Sequence, residues 1–379
     1  MNKKLMIIAG EASGDLHGAS VMKEMRLLDS SIEFFGIGGD RMIASGMKAD
    51  YHIKQMAFLG FIEVIRHLPF INKVKSDLLL LAEKEKIETI ILIDYPGFNL
   101  NIAHKFHSSG KRLIYFISPQ VWAWGRGRIE KIKRLIKKML VIFPFEEAMY
   151  KEAGVDALYV GHPLVEHAQN YNFLSKEELY SNLELDKEKD ILLLLPGSRK
   201  QEIKKIFGES LEAAIQLAEE FDLQIVVACA ENINETIFGT VSRNSGYKIV
   251  KGFTYDLLKN SKFGIIKSGT STLEAAYFQL PFVVVYVTNP ITYLIGKILA
   301  KIKNIAMANI ILGKTVVPEL MQNSANKENI YRTCCLYLSS KERLDEMKRD
   351  LSEIKLKLGN SGASKRAAEI IYKIMNEAK

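Results

Sequence analysis

Cysteine is scarce in this 379-residue chain. Its three copies, Cys229, Cys334 and Cys335, lie at spacings that make neither a disulfide framework nor a metal site, a usage that points to a reducing compartment. Long apolar runs are absent: none approaches the ~20 residues needed to span a bilayer. The N-terminal run Leu5–Ala9 is too short for a secretory signal and reads as a first strand. There is no low-complexity tract and no obvious short repeat. Seven histidines form no ligand pattern, since His104 and His107 at i, i+3 suit a helix surface, so no metal is expected. Helix-turn-helix, RNA-binding and zinc patterns are missing, which argues against nucleic acid as a partner. A dinucleotide fingerprint is missing too. Gly10, Gly14 and Gly18 come near G-x-G-x-x-G without matching it, and the second strand closes on Gly36 rather than an acid. A nicotinamide or flavin enzyme is therefore disfavoured, and no cofactor is expected.

Acidic residues are slightly outnumbered, 44 against 52 basic ones, for a formal charge of +8. That balance favours anionic partners such as nucleotides and phospholipid head groups. With 48% hydrophobic and 25% charged residues the composition is globular, and the length suits two domains. Strand-like runs at Leu5–Ala9, Ile32–Gly36, Thr89–Ile93 and Leu113–Ile117 alternate with helical segments. After a charged, irregular region from Glu166 to Lys189 the pattern restarts at Ile191–Leu195, Gln224–Ala228, Lys248–Val250, Phe263–Ile266 and Phe282–Tyr286. This predicts an α/β fold of two doubly wound domains. The expected boundaries are 1–165, 166–345 and a closing pair of amphipathic helices in 346–379.

The unusual loops all follow predicted strands: Gly10-Glu-Ala-Ser-Gly-Asp15, Asp94-Tyr-Pro-Gly-Phe-Asn99, Ser118-Pro-Gln-Val-Trp-Ala-Trp124, Pro196-Gly-Ser-Arg199 and Ser268-Gly-Thr270. Ligands of open α/β sheets bind beyond the carboxyl ends of the strands, so five such loops imply a cleft between two facing sheets. Phe263–Tyr277 reads as strand, turn and helix, with Thr270 or Ser271 as N-cap. Its first turn either seats a phosphate or is an ordinary capped turn. Glu274, just inside the helix, could accept hydrogen bonds from ribose hydroxyls. Arg199 offers a donor fork suited to diphosphate, or pairs with Glu202 at the surface. Asp94 is either a general base at a strand end or the start of a Pro-Gly turn. Asp15 either caps a helix or binds substrate, in a Gly-rich loop, with Ser13 and Gly14, that lets the backbone approach a sugar or acceptor phosphate.

Two stretches suit a membrane surface. Met56–Ile71, with Phe58, Leu59, Phe61, Ile62, Ile65 and Leu68, is apolar nearly all round, more than one packed face needs. Arg126–Lys138 is basic and amphipathic, suiting anionic lipid or, alternatively, a core-facing helix with a solvated basic side.

Taken in order, these loops, with Gly161-His-Pro163 and Val317-Pro-Glu-Leu-Met-Gln322, resemble the lipid-A-disaccharide synthase family over almost the whole chain. The resemblance implies the GT-B architecture, two Rossmann-like domains facing across a cleft with C-terminal helices returning towards the first, and an inverting transfer without metal. UDP-2,3-diacylglucosamine would donate its sugar to 2,3-diacylglucosamine 1-phosphate, giving a β-1,6 disaccharide and UDP. It implies Asp94 as the base. Ser198, Arg199, Ser268, Gly269, Thr270 and Glu274 would hold the donor, and Asn309, Glu319 and Gln322 would line its pocket. The apolar stretch from Phe58 resembles the family's membrane contact, which implies a peripheral enzyme on the cytoplasmic face of the bacterial inner membrane. A homodimer is left open, since some members swap their C-terminal parts. Lys267 and Lys314 depart from the family pattern: Lys267 stands where a small residue is expected, and either adds a phosphate contact or only alters the pocket rim, while Lys314 stands where some relatives have Arg, without its bidentate fork. A UDP-GlcNAc-using cell-wall transferase or 2-epimerase, and a non-catalytic basic lipid-binding protein, are the competing readings.

Overall fold

A computed structural model of the chain describes residues 3–56, 67–119, 121, 127–242, 246–289 and 304–377. It divides into two compact units, residues 1–169 with 358–379, and residues 170–357. The first is built on seven strands: β1 (Lys4–Ala9), β2 (Glu33–Gly38), β3 (Met47–His52), β4 (Thr89–Ile93), β5 (Arg112–Phe116), β6 (Lys138–Val141) and β7 (Ala157–Tyr159). They pair in parallel in the order β3-β2-β1-β4-β5-β6-β7. The second unit has β8 (Asp190–Leu195), β9 (Leu223–Ala228), β10 (Tyr247–Val250), β11 (Phe263–Lys267), β12 (Phe282–Tyr286) and β13 (Glu319–Met321), in the order β10-β9-β8-β11-β12-β13. Both are doubly wound parallel sheets, as the alternating pattern predicts.

The central strands are apolar along their whole length because helices cover both faces. Leu5 to Ala9 and Ile191 to Leu194 are fully buried. The strands with no counterpart among the predicted runs are β3, β6, β7 and β13. Three lie at sheet edges, the largely polar β3 (Met47-Lys-Ala-Asp-Tyr-His52) and the three-residue β7 and β13, and β6 hides in the basic stretch. Glu166–Lys189, expected to be irregular, takes in the end of the helix Pro163–Gln169 and all of the helix Lys176–Asn182. A capping box starts the second of these: Ser175 accepts the Glu178 N–H while Glu178 accepts the Ser175 N–H.

In each sheet the strand order reverses once, between β1 and β4 in the first and between β8 and β11 in the second. Register places Ala9 beside Ile93, and Leu195 beside Ile266. The loops 10–15 and 94–99 therefore leave one switch point, and the loops 196–199 and 268–270 leave the other. Such points are where open α/β sheets bind ligands.

The helix Lys341–Lys357 stays with the second unit through Leu344, Met347, Leu351 and Ile354. The helix Ala363–Met375 belongs to the first, burying Ala363, Ala367, Ala368, Ile371 and Ile374. Arg366 ties its start to the Val160 carbonyl at 2.7 Å, and Arg112 of β5 donates to the Ile374 carbonyl at 3.0 Å at its end.

Candidate active site

Asp94, one residue past β4, is in a left-handed conformation, φ 44°, followed by Tyr95 at φ 48°. Ile117, one residue past β5, stands at φ 63°. A β-branched residue rarely adopts that conformation, which costs on the order of 1–3 kcal/mol. The turn is held from beneath. The Asp94 N–H donates to the Phe116 carbonyl at 3.1 Å, and the Asp94 carbonyl accepts from Asn99 Nδ2 at 2.7 Å and the Tyr115 hydroxyl at 2.5 Å. The backbone is thereby locked, and Asp94 lines a cavity of about 430 Å³. The cavity is also lined by Pro96, Ile117, Ser118, Arg128, Ile142, Phe143 and Glu146. Burial, and then the charge of Glu11, push the Asp94 carboxyl up to about 6, against a lowering hydrogen bond from the Tyr95 amide. Within the cavity wall Ser118 donates to the buried Glu146 at 2.7 Å.

The neighbouring loop fits against this turn. The Tyr95 ring lies so close over Gly10 that a Cβ there would come within 2.2 Å of the ring's Cγ. Ser13 is exposed, whereas Gly14 is buried where a Cβ would meet that of Ala9 at 3.2 Å. Asp15 is buried. Its Oδ1 accepts the N–H groups of Gly39 and Met42 at 2.7 and 3.0 Å, and its Oδ2 that of Arg41 at 3.1 Å. Its carboxylate caps the short helix Asp40–Ala44 rather than the helix in which it sits. The sequence could not show this, because the partner lies 24 or more residues away.

In the second unit the helix Thr270–Tyr277 starts after Gly269, and no side chain caps it. The expected cap from Thr270 does not form, because Gly269 takes the cap position and Thr270 is already helical. Thr272 Oγ1 instead donates to the Gly269 carbonyl at 2.7 Å. An open first turn suits an anion. Burial pushes the Glu274 carboxyl up to about 7. Ser268 donates to the Ile305 carbonyl at 3.4 Å. Arg199, its side chain 49% exposed, lies 3.8 Å from Glu202, and the N–H of Ser198 also donates to Glu202, at 3.3 Å.

The side chains of Asn309, Glu319 and Gln322 hold backbone. Glu319 accepts the N–H groups of Ile305 and Ala306 at 2.9 Å and Asn309 Nδ2 at 2.8 Å. Asn309 Oδ1 accepts those of Val316 and Val317, and Gln322 bonds both the N–H and the carbonyl of Thr288. Lys314 lies between Asp350 and Glu353, at 2.7 and 3.5 Å. Of the apolar stretch, Phe58, Leu59, Phe61, Ile62 and Ile65 lie outside the described residues, as do Trp122 and Trp124. Leu68, 44% exposed, opens the helix Leu68–Lys84. The basic stretch forms the helix Arg128–Leu135, with Ile132 and Leu135 buried and Arg128, Lys133 and Arg134 exposed. No group of metal-ligating side chains is present among the described residues, nor is any helix there long and apolar enough to cross a membrane.

Known proteins give the same reading of the whole chain. The family model for lipid-A-disaccharide synthetase matches residues 5–375. The lipid-A-disaccharide synthase of Syntrophus aciditrophicus is 38% identical, with all of both chains covered. That of Geobacter metallireducens is 37% identical, over 99% of this chain and 98% of its own. Among solved structures, a putative UDP-N-acetylglucosamine 2-epimerase from Listeria monocytogenes superposes with a TM-score of 0.69 at 12% identity, covering 100% of this chain and 98% of its own. The UDP-GlcNAc 2-epimerase of Neisseria meningitidis, bound to UDP-GlcNAc, does so at 0.68 and 13%, covering 98% and 100%. At such identity the structures speak for the GT-B-like fold alone. The sequence matches settle the family: this chain belongs to the lipid-A-disaccharide synthetases.

Proposed function

We propose that Asp94 activates the acceptor and that the loops around Arg199 and Gly269 carry the donor, in the transfer that joins UDP-2,3-diacylglucosamine to 2,3-diacylglucosamine 1-phosphate. As a member of its family the chain is a UDP-sugar glycosyltransferase of the disaccharide-forming step in lipid A biosynthesis, with a UDP-sugar donor and a sugar-phosphate acceptor. The observation that carries the mechanism is Asp94 at a switch point, lining a cavity, with its carboxyl raised to about 6. A base in that range is ionised at neutral pH, yet a far better proton acceptor than an ordinary aspartate.

In this reading Asp94 takes the proton of the acceptor's 6-hydroxyl as that oxygen attacks the donor's anomeric carbon. The bond from that carbon to the diphosphate breaks in the same step, with inversion, and UDP leaves. Arg199, the Ser198 and Ser268 loops and the open first turn at Thr270 stabilise the charge gathering on UDP. Glu274 accepts from the ribose hydroxyls. Asn309, Glu319 and Gln322 act on the donor by ordering the backbone they bind. Asp15 acts on the acceptor side by fixing the Gly39–Met42 turn, beside the exposed Ser13 and the close-packed Gly14.

Acyl chains on both substrates support a peripheral position on an anionic membrane surface, at the cytoplasmic face of the inner membrane. The exposed Leu68 at the end of the apolar stretch, and the solvated basic side of Arg128–Leu135, support that placement.

Mass-spectrometric product analysis with the two acylated glucosamine substrates tests the activity, with an unacylated acceptor as control. Asp94→Asn is expected to lower turnover about 10²–10⁴-fold with UDP binding kept. Retained turnover in that variant would remove Asp94 from the chemistry.

A further inference from the structure

The cations at the second switch point share one carboxylate. Lys267, the last residue of β11, places its ammonium 2.8 Å from Glu202 Oε1, and Arg199 Nη1 lies 3.8 Å from the same oxygen. The other oxygen, Oε2, accepts the Ser198 N–H at 3.3 Å and presses on Gly197 (φ 116°), where a Cβ would stand 2.6 Å from it. Lys267 and Glu202 are each only 17% exposed. The Lys267 ammonium also lies 3.5 Å from the point that a Cβ on Gly269 would take. It therefore bridges the loop 196–199 and the loop 268–270, which are about seventy residues apart in the chain but adjacent at the β8/β11 reversal.

A guanidinium, an ammonium and a turn N–H converging on one carboxylate are the donor set that a diphosphate requires. We infer that Lys267 is a further diphosphate-binding cation of the donor site. Glu202 is its built-in counter-ion, occupying the place of a phosphate oxygen until the donor arrives. This rests on the reading of these loops as the UDP-sugar site. A largely buried ammonium without a counter-charge is costly, so the empty site needs Glu202. A diphosphate carries more negative charge than one carboxylate and can take over Lys267, Arg199 and the Ser198 N–H together, releasing Glu202 towards solvent. An acid in the first turn of the helix Lys200–Phe221 is favourable in any protein. That preference does not account for Lys267 reaching it from another strand.

Titrating the full chain with UDP and with uridine, by ligand-observed NMR, separates phosphate contacts from base and ribose contacts. Lys267→Met should weaken UDP about 10–100-fold, the scale of a hydrogen bond to a charged group, and leave uridine unchanged. Lys267→Arg should keep UDP binding. Glu202→Gln retains an acceptor for the Ser198 N–H but removes the competing charge, and should tighten UDP several-fold without affecting uridine. If Lys267→Met does not fold, Lys267→Gln carries the same expectation. Equal losses for UDP and uridine, or no loss, would overturn the role of Lys267. Unchanged or weaker UDP binding by Glu202→Gln would overturn the exchange. Failure of the wild-type chain to bind UDP at all would instead sink the donor-site reading beneath it.

Discussion

Asp94 is kept where its charge is expensive. A carboxyl whose folded pKa is raised from 3.8 to about 6 binds its proton more tightly in the native state than in the unfolded one. The resulting penalty is absent below pH ~4, grows as pH rises between the two values, and is complete above ~6. Its size at neutral pH is on the order of 3 kcal/mol. Asp94→Asn, which cannot ionise, should therefore raise the unfolding midpoint of the first unit at pH 8 and leave it nearly unchanged at pH 4. Parallel melting of the two proteins at both values would show that the carboxyl is not desolvated. Such a gain in stability with a loss of turnover is the trade-off expected of a strained site. Glu274, raised to about 7 by burial, follows the same sign.

At the scale of elements, the site is made by loops that rigid neighbours hold in unfavourable backbone. Tyr95 is the hinge of this arrangement. Its hydroxyl donates to the Met56 carbonyl at 3.0 Å and its ring covers Gly10, so the turn carrying Asp94 and the loop 10–15 interlock. Gly10→Ala should push the ring and the adjacent Asp94 out of place. Turnover is expected to fall about 10²-fold, the cost of a displacement near 1 Å, with far-ultraviolet circular dichroism unchanged. Wild-type turnover in that variant would mean the interlock does not position the base. The sequence flags Gly10 and Asp94 separately, each as a loop residue. The contact of Gly10 with Tyr95, the residue after Asp94, spans 85 residues of the chain and exists only because β1 and β4 pair. The same pairing places Glu11 near enough to raise Asp94, a contribution that no local pattern announces.

Over the whole molecule the chain crosses twice between units, leaving the first after Gln169 and re-entering it at Leu358. The final helix is bound there by groups from distant segments: Arg112, Lys3 through Tyr372, and Glu166 accepting the Ser364 N–H. The membrane proposal also belongs to this scale. Phe58→Ser with Phe61→Ser should move the protein from the membrane fraction to the soluble one, read by sedimentation with vesicles containing anionic lipid. Unchanged sedimentation would remove the apolar stretch as the contact.

Local chemistry alone specifies the buried strands, the loops that follow them and the strand-to-helix turn at Ser268. A run such as Ile191–Leu195 can be stable only when covered on both faces, and a glycine-rich turn after it leaves few alternatives. Strand order depends on pairings between segments far apart in the chain, and periodicity carries no trace of them. Tertiary structure therefore decided which loops share a switch point. It also decided that Asp15, Asn309, Glu319 and Gln322 spend their polar atoms on neighbouring backbone. And it joined Lys267 to Glu202, because a buried charge takes as partner whatever the fold brings within reach.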